Sequence, residues 1–163
     1  MKIKIKNLSI LTILFFILIV FLLALGENKI YDTKNLVGKK IENFELADLN
    51  ENIKITEIDL IQNDYTLINL WASWCSPCRL EHKYLINLKQ KFDLKILGIN
   101  FKDNKNNAIK YLNEYGNPYH FVAKDFDGKS SIQFGTYGIP ESILIDKNLT
   151  IIKKYIGPLN DES

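Results

Sequence analysis

Cysteine, histidine and proline are scarce in this chain, which contains two, two and four of them among 163 residues. Two cysteines are too few for the disulfide framework of a small secreted scaffold or for a cysteine-rich zinc site. An excess of charge is lacking too: of the 21 Lys and Arg residues, three precede Gly26, so residues 27–163 carry 18 basic against 19 acidic groups, a net charge of −1. This balance excludes the basic footprint of a nucleic-acid-binding protein.

A long apolar run lies near the N-terminus. From Leu8 to Leu25 the chain has 18 residues without a charge, which favours a membrane-spanning helix. A cleaved signal peptide is the alternative, because Ala24-Leu25-Gly26 resembles a cleavage site, although apolar regions of signals usually have about 7–15 residues. We therefore expect an uncleaved anchor at 1–26.

Both interpretations place the rest of the chain outside the cytoplasm. Lys2, Lys4 and Lys6 flank the apolar run, and such a basic flank stays on the cytoplasmic side. We expect a polar tether at 27–40 and one globular domain at 41–163. The expected location is the bacterial inner membrane, as a single-pass protein with its domain in the periplasm, where disulfides form and persist.

The rest of the chain predicts alternating strands and helices. Residues 66–71 and 94–101 are nearly continuous apolar runs, as in strands buried on both faces of a central sheet. Helical spacing follows each run, and 142–146 and 150–156 flank an Asn-containing turn, as in a hairpin. Residues 44–47 and 53–56 alternate like two paired strands. The order indicates an α/β fold with a mixed sheet flanked by helices. The predicted helical apolar positions are Leu80, Tyr84, Leu85 and Leu88 in one helix and Ala108, Tyr111, Leu112 and Tyr115 in the next.

The two cysteines form a CxxC motif between a buried strand and a helix. Cys75 would lie at the helix N-terminus, where free N–H groups and the macrodipole favour a thiolate. We therefore expect an exposed, nucleophilic Cys75 that forms a mixed disulfide with a substrate, and a buried Cys78 that resolves it. Pro77 is compatible with the first turn of a helix, and Arg79 adds positive charge.

Three other uses of the pair are weaker. A Cys2His2 zinc site would need both histidines, His82 and His120, but the spacing is not that of a zinc finger. Attachment of c-type haem requires His directly after CxxC, where Arg79 stands. A purely structural disulfide over so short a loop would restrict the unfolded chain little. We expect no metal and no cofactor, and both histidines fit packing or surface positions better than catalysis.

The segment Trp71-Ala-Ser-Trp-Cys-Ser-Pro-Cys-Arg79 resembles the active site of the thioredoxin superfamily. Further segments are similar to its DsbE/CcmG branch, the membrane-tethered reductants of cytochrome c maturation, over nearly the whole chain. They are Gly38-Lys-Lys, Arg79-Leu-Glu-His82, Gly98-Ile-Asn-Phe-Lys-Asp103, Gly116-Asn-Pro-Tyr119, Tyr137-Gly-Ile-Pro-Glu-Ser142 and Leu144-Ile-Asp146.

The resemblance implies roles for several residues. Pro140 matches the family's cis-proline, which packs against the cysteines and presents backbone groups to substrate, and Glu141 matches the acid after it. Trp74 would form the rim of the site and Tyr137 would line its groove, whereas Trp71 belongs to the core. Asn69 stands where thioredoxin has a buried Asp that serves the inner cysteine. Because Asn cannot accept a proton, Glu81 is expected to take that role.

The resemblance also implies a substrate and partners. The family reduces CxxCH disulfides of apocytochrome c before haem attachment, with a membrane thiol-reducing electron donor of the DsbD/CcdA type and the haem lyase complex as further partners. A broader disulfide reductase of the TlpA or ResA type is the alternative. A copper-binding assembly factor on the same fold is a third hypothesis, but such factors space their cysteines by three residues.

Overall fold

The computed structural model describes residues 2–26, 36–50, 53–92 and 94–161, with side chains for 8–23 in the first of these ranges. The chain forms two compact units, Met1–Asp32 and Thr33–Ser163, and the first contains helix α1 (Lys2–Gly26). Among the described residues, no helix is long and apolar enough to cross a membrane. The membrane anchor and its boundaries stay predictions, and 27–35 of the predicted tether lie outside the described residues.

The second unit is built on a five-stranded mixed sheet. Its elements are β1 (Glu45–Ala47), β2 (Lys54–Thr56), α2 (Glu57–Leu60), β3 (Tyr65–Trp71), α3 (Ser76–Phe92), β4 (Lys95–Phe101), α4 (Lys105–Tyr115), β5 (Phe121–Asp125), α5 (Lys129–Gln133), β6 (Glu141–Asp146) and β7 (Ile151–Ile156). The sheet has the order β5-β4-β3-β6-β7, and β1 pairs separately with β2. The central strand β3 runs parallel to β4 and antiparallel to β6. The predicted α/β fold with a mixed sheet is confirmed.

The central strand supplies side chains to two apolar layers. Ile68 and Leu70 of β3 pack in a cluster with β1, β2 and the end of α5, whereas Leu67 and Trp71 pack in a second cluster with α3 and α4. This alternation is what a strand buried on both faces requires. Asn69 therefore points to the same face as Leu67 and Trp71, and its polar side chain lies under α3.

The buried face of α3 differs from the apolar pattern of the sequence. Leu80 is 67% exposed, and the buried residues of the helix are Cys78, Glu81, His82 and Leu85. These positions follow the i, i+3, i+4, i+7 spacing of one helical face. The predicted helix is confirmed, but Leu80 lies outside its buried face, where the polar residues Glu81 and His82 take two of the four positions. Tyr115, the last residue of α4, is likewise 51% exposed.

Candidate active site

Cys75 caps the N-terminus of α3. The helix begins at Ser76, and the backbone N–H of Cys78 donates to Cys75 Sγ at 3.2 Å. This is the geometry of an N-cap side chain that accepts from the third residue of its helix. The two Sγ atoms are bonded, 2.06 Å apart. In the reduced protein, the same N–H and the helix dipole would stabilise a Cys75 thiolate.

Both cysteines are buried in the oxidised protein, whereas the exposure of Cys75 expected for its thiolate form stays a prediction. Cys75 and Cys78 are each 3% exposed. Both belong to the apolar cluster that contains Trp71 and Tyr119, and the bond to Cys78 keeps the Cys75 sulfur within this cluster. Trp74, directly before Cys75 in the sequence, is 56% exposed, and its place at the rim of the site stays a prediction.

A carboxylate after β4 holds the turn that precedes the cysteines. The N–H of Ser73 donates to Asp103 Oδ2 at 2.6 Å, and its hydroxyl donates to Asp103 Oδ1 at 2.8 Å. The indole N–H of Trp74 donates to the carbonyl of Lys102 at 3.1 Å. These bonds connect the ends of two adjacent strands and fix the approach to Cys75. Sequence reasoning gave no role to Asp103, whose position at the end of a predicted strand was the available signal.

Glu81 is fully buried one helical turn after Cys78. Its Oε1 accepts from Asn69 Nδ2 at 2.9 Å, and its Oε2 accepts from the backbone N–H of Leu159 at 2.9 Å. Burial raises the pKa of Glu81 from 4.5 to about 7, against the opposing effect of these two hydrogen bonds. The group can therefore both hold and release a proton near neutral pH.

Asn69 connects Glu81 to β6 and to the segment between α4 and β5. Its Nδ2 donates to Glu81 and also to Ser142 Oγ at 3.0 Å, and its Oδ1 accepts from the Tyr119 hydroxyl at 2.9 Å. All four residues are buried. Sequence reasoning quoted Tyr119 and Ser142 within family segments but gave neither a role, because their contact with Asn69 is not local.

The Ile139–Pro140 peptide bond is cis, as the resemblance implied. Pro140 is buried, and its carbonyl accepts from the N–H of Gly157 at 3.0 Å. Ile139 packs against the cluster that contains both cysteines. The loop therefore borders the apolar cluster that contains the cysteine pair, while contact of Pro140 with the cysteines stays a prediction.

Glu141 is turned into the protein beneath that loop. Its Oε1 accepts from the N–H groups of Tyr137 and Gly138 at 3.1 and 3.2 Å, and its Oε2 forms an ion pair with Lys154 Nζ at 2.9 Å. The side chains of Lys154 and Glu141 are only 2% and 5% exposed. This arrangement braces the loop from inside, while direct contact of Glu141 with a substrate stays a prediction. Tyr137 is 63% exposed, and its place in the groove also stays a prediction.

Both histidines engage the backbone through a ring nitrogen. His82 Nε2 lies 3.0 Å from the carbonyl oxygen of Gly116, and His120 Nδ1 accepts from the N–H of Ile96 at 3.2 Å. Burial lowers the pKa of His82. In the part of the chain that the structure describes, no group of three or more His, Cys, Asp or Glu residues could hold a metal ion.

A cysteine pair that caps a helix on this sheet, with a carboxyl that titrates near neutrality behind it, defines a thioredoxin-like thiol:disulfide oxidoreductase. The chain belongs to the Redoxin family, which it matches over residues 36–163. It is 36% identical to the thiol:disulfide interchange protein DsbE of Vibrio cholerae, over 93% of this chain and 88% of that protein. The DsbE of Escherichia coli strain K12 is 39% identical, over 77% and 68%.

A solved structure agrees in fold. The crystal structure of a DsbE-type thiol:disulfide interchange protein from Chlorobium tepidum superposes with a TM-score of 0.66 at 24% identity, covering 77% of this chain and 89% of that one. The DsbE relatives from Vibrio cholerae and Escherichia coli, together with the bonded CxxC pair, confirm the predicted enzyme class, thiol:disulfide interchange.

Proposed function

We propose that this enzyme reduces the CxxCH disulfide of apocytochrome c before haem attachment. The observation that carries the proposal is the similarity to the Vibrio cholerae DsbE protein over 93% of this chain and 88% of that protein. A membrane thiol-reducing donor of the DsbD/CcdA type would return the pair to the dithiol, and the haem lyase complex would receive the reduced substrate. We place the domain in the periplasm, anchored by residues 1–26, on the basis of the 18-residue uncharged run.

The first step is attack by the Cys75 thiolate on one sulfur of the substrate disulfide. The bond between the two substrate sulfurs breaks, and the released sulfur leaves as a thiolate that takes a proton from solvent. Cys75 is then joined to the substrate in a mixed disulfide. The Cys78 N–H and the N-terminus of α3 lower the energy of the attacking thiolate.

The second step releases the substrate. Cys78 transfers its proton to the Glu81 carboxylate and attacks the Cys75 sulfur. The bond between Cys75 and the substrate breaks, and the second substrate sulfur leaves as a thiolate that takes a proton from solvent. The protein ends as the Cys75–Cys78 disulfide, and two electrons have passed to the substrate, which becomes a dithiol. Glu81 suits the transfer because its pKa, raised by burial to about 7, lies close to the working pH.

Halting the reaction between these steps tests the proposal. Cys78→Ala leaves Cys75 able to attack but removes the sulfur that resolves the mixed disulfide. We expect the variant to capture a peptide with an oxidised CxxCH sequence in preference to an unrelated disulfide peptide of similar potential, as measured by intact mass. Cys75→Ala is the matched control and should capture neither.

A second substitution tests whether the Pro140 loop contributes to substrate binding. Replacing Pro140 in the Cys78→Ala background should reduce the preference for the CxxCH peptide. Capture of both peptides at the same rate would favour a broad disulfide reductase of the TlpA or ResA type. Capture of neither peptide would contradict the proposed reaction and favour the copper-binding hypothesis, which a copper titration of the reduced protein would test.

A further inference from the structure

Tyr119 lies directly behind the pair formed by Asn69 and Glu81. We infer that Tyr119 is a positioning residue, which holds the Asn69 amide with its N–H groups toward Glu81. The inference deepens the proposed function, since it rests on Glu81 as the proton acceptor for Cys78. It concerns a residue that does not touch the reacting sulfurs and acts through Asn69.

The sheet is shaped to receive this tyrosine. Gly98 of β4 is the register partner of Asn69 in β3. A Cβ atom at Gly98 would lie 2.6 Å from the Tyr119 ring, so the ring occupies the space that a side chain there would take. Tyr119 also stacks on Trp71, with ring centroids 5.3 Å apart and planes at 22°. The ring is therefore held over the sheet at the point where its hydroxyl reaches Asn69.

The hydroxyl fixes which way round the amide lies. Burial raises the pKa of Tyr119 well above 10, so the phenol keeps its proton, and this proton goes to Asn69 Oδ1. If the amide turned by 180°, its oxygen would face Glu81 and the buried phenol would lose its acceptor. Losing a partner in a buried site is costly. Tyr119 thus favours the orientation in which Asn69 donates to the Glu81 carboxylate.

The orientation matters because the two forms of Glu81 prefer opposite partners. A carboxylate is stabilised by the N–H groups of Asn69, whereas a carboxylic acid is stabilised by an acceptor oxygen. Without the phenol, the amide can turn its oxygen to Glu81 and favour the protonated acid. Tyr119 therefore keeps the pKa of Glu81 lower than burial alone would set it. More of the group is then carboxylate near neutral pH, which is the form that accepts a proton.

The other groups around Glu81 do not change their charge near neutral pH in the oxidised protein, so they do not obscure the effect of Tyr119 on the pKa of Glu81. Tyr111 of α4 interacts electrostatically with Glu81, and burial raises its pKa to about 12, so it stays neutral. Cys78 on α3 does not titrate while it is bonded to Cys75. Ser142 of β6 and the N–H of Leu159 are uncharged. In the oxidised protein, a change in the titration of Glu81 after a change at Tyr119 can thus be assigned to the amide.

The test is a pH titration of the ¹³C-labelled Glu81 carboxyl by NMR in the oxidised full chain. In Tyr119→Phe, which keeps the ring and its stacking, we expect about ten times more protonated acid per carboxylate at a given pH. The control is Tyr111→Phe, whose ring also packs on Trp71, with centroids 5.5 Å apart. An unchanged titration in Tyr119→Phe, or an equal shift in Tyr111→Phe, would overturn the inference.

A second variant displaces the hydroxyl without removing it. Gly98→Ala should push the Tyr119 ring off the sheet and shift the Glu81 titration in the same direction. An unshifted titration in a folded Gly98→Ala protein would also count against the inference.

A separate measurement tests the proposed proton transfer. Glu81→Gln should slow resolution of the mixed disulfide while leaving attack by Cys75 nearly unchanged. If resolution is unaffected but Tyr119→Phe still shifts the titration, the proton-acceptor role fails and the positioning role stands.

Discussion

Glu81→Gln should change how the stability of the oxidised protein depends on pH. Burial raises the pKa of Glu81 from 4.5 to about 7 in the folded protein. Below pH 4.5 the group is protonated in both states, so its contribution to stability is fully present. Between about pH 4.5 and 7, the unfolded chain releases this proton while the folded protein retains it, and stability falls. At about 1.4 kcal/mol for each pH unit, the wild type loses about 3 kcal/mol across this window.

The glutamine variant lacks this titration but has a constant cost. Glu81 accepts from both Asn69 and Leu159, and a glutamine would turn its own NH₂ toward one of these two donors. An unsatisfied buried donor costs about 1–3 kcal/mol at every pH. The wild type should therefore have clearly the larger free energy of unfolding at pH 4. Between pH 4 and 8 the difference between the two proteins should change by about 3 kcal/mol in favour of the variant.

Urea unfolding of the oxidised full chain at several pH values measures this difference. The cysteines do not titrate while bonded, and subtracting the two curves cancels groups common to both proteins, including His82 with its lowered pKa. A free-energy difference that stays constant between pH 4 and 8 would refute the raised pKa of Glu81. It would also remove the reason for assigning Glu81 the proton of Cys78.

Two more predictions test the cap and the loop brace. In the reduced protein, brief alkylation at neutral pH should modify Cys75 well before Cys78, because the Cys78 N–H and the α3 N-terminus stabilise the Cys75 thiolate. Peptide mapping by mass spectrometry measures both rates, and equal rates would contradict the prediction. Lys154→Met should lower the free energy of unfolding by about 3–5 kcal/mol, because it leaves the Glu141 carboxylate buried without its cation. Adding Glu141→Gln should recover part of that loss in urea unfolding, and a loss below about 1 kcal/mol for Lys154→Met would show that the pair is not a brace.

Local pattern was sufficient for the sheet and for the place of the cysteines. The run of 66–71 predicted a strand buried on both faces, and β3 has six consecutive buried residues. A CxxC motif directly after such a strand predicted Cys75 at the start of a helix, which the N-cap geometry confirms. These inferences needed only neighbours in sequence, because strand period and helix capping are local properties.

The polar interior of the site could not be predicted in the same way. The contact of Glu81 with Leu159 spans 78 residues, and that of Asn69 with Ser142 spans 73. Such partners are set by the sheet order and by the path of the C-terminal segment. Lys154 illustrates the limit: in the sequence it is an ordinary lysine of a hairpin strand, yet its side chain is only 2% exposed.

The exposure of Leu80 follows from the chemistry that α3 carries. Successive residues of a helix are rotated by about 100°, so a face that contains Cys78 and Glu81 cannot also contain Leu80. Rotating α3 to bury this leucine would remove Cys78 and Glu81 from the sheet, and would separate Glu81 from Asn69. Glu81 keeps its burial only because Asn69 and Leu159 satisfy both of its oxygens. The polar partners on β3 and after β7, more than the apolar content of the helix, therefore determine which face of α3 is buried.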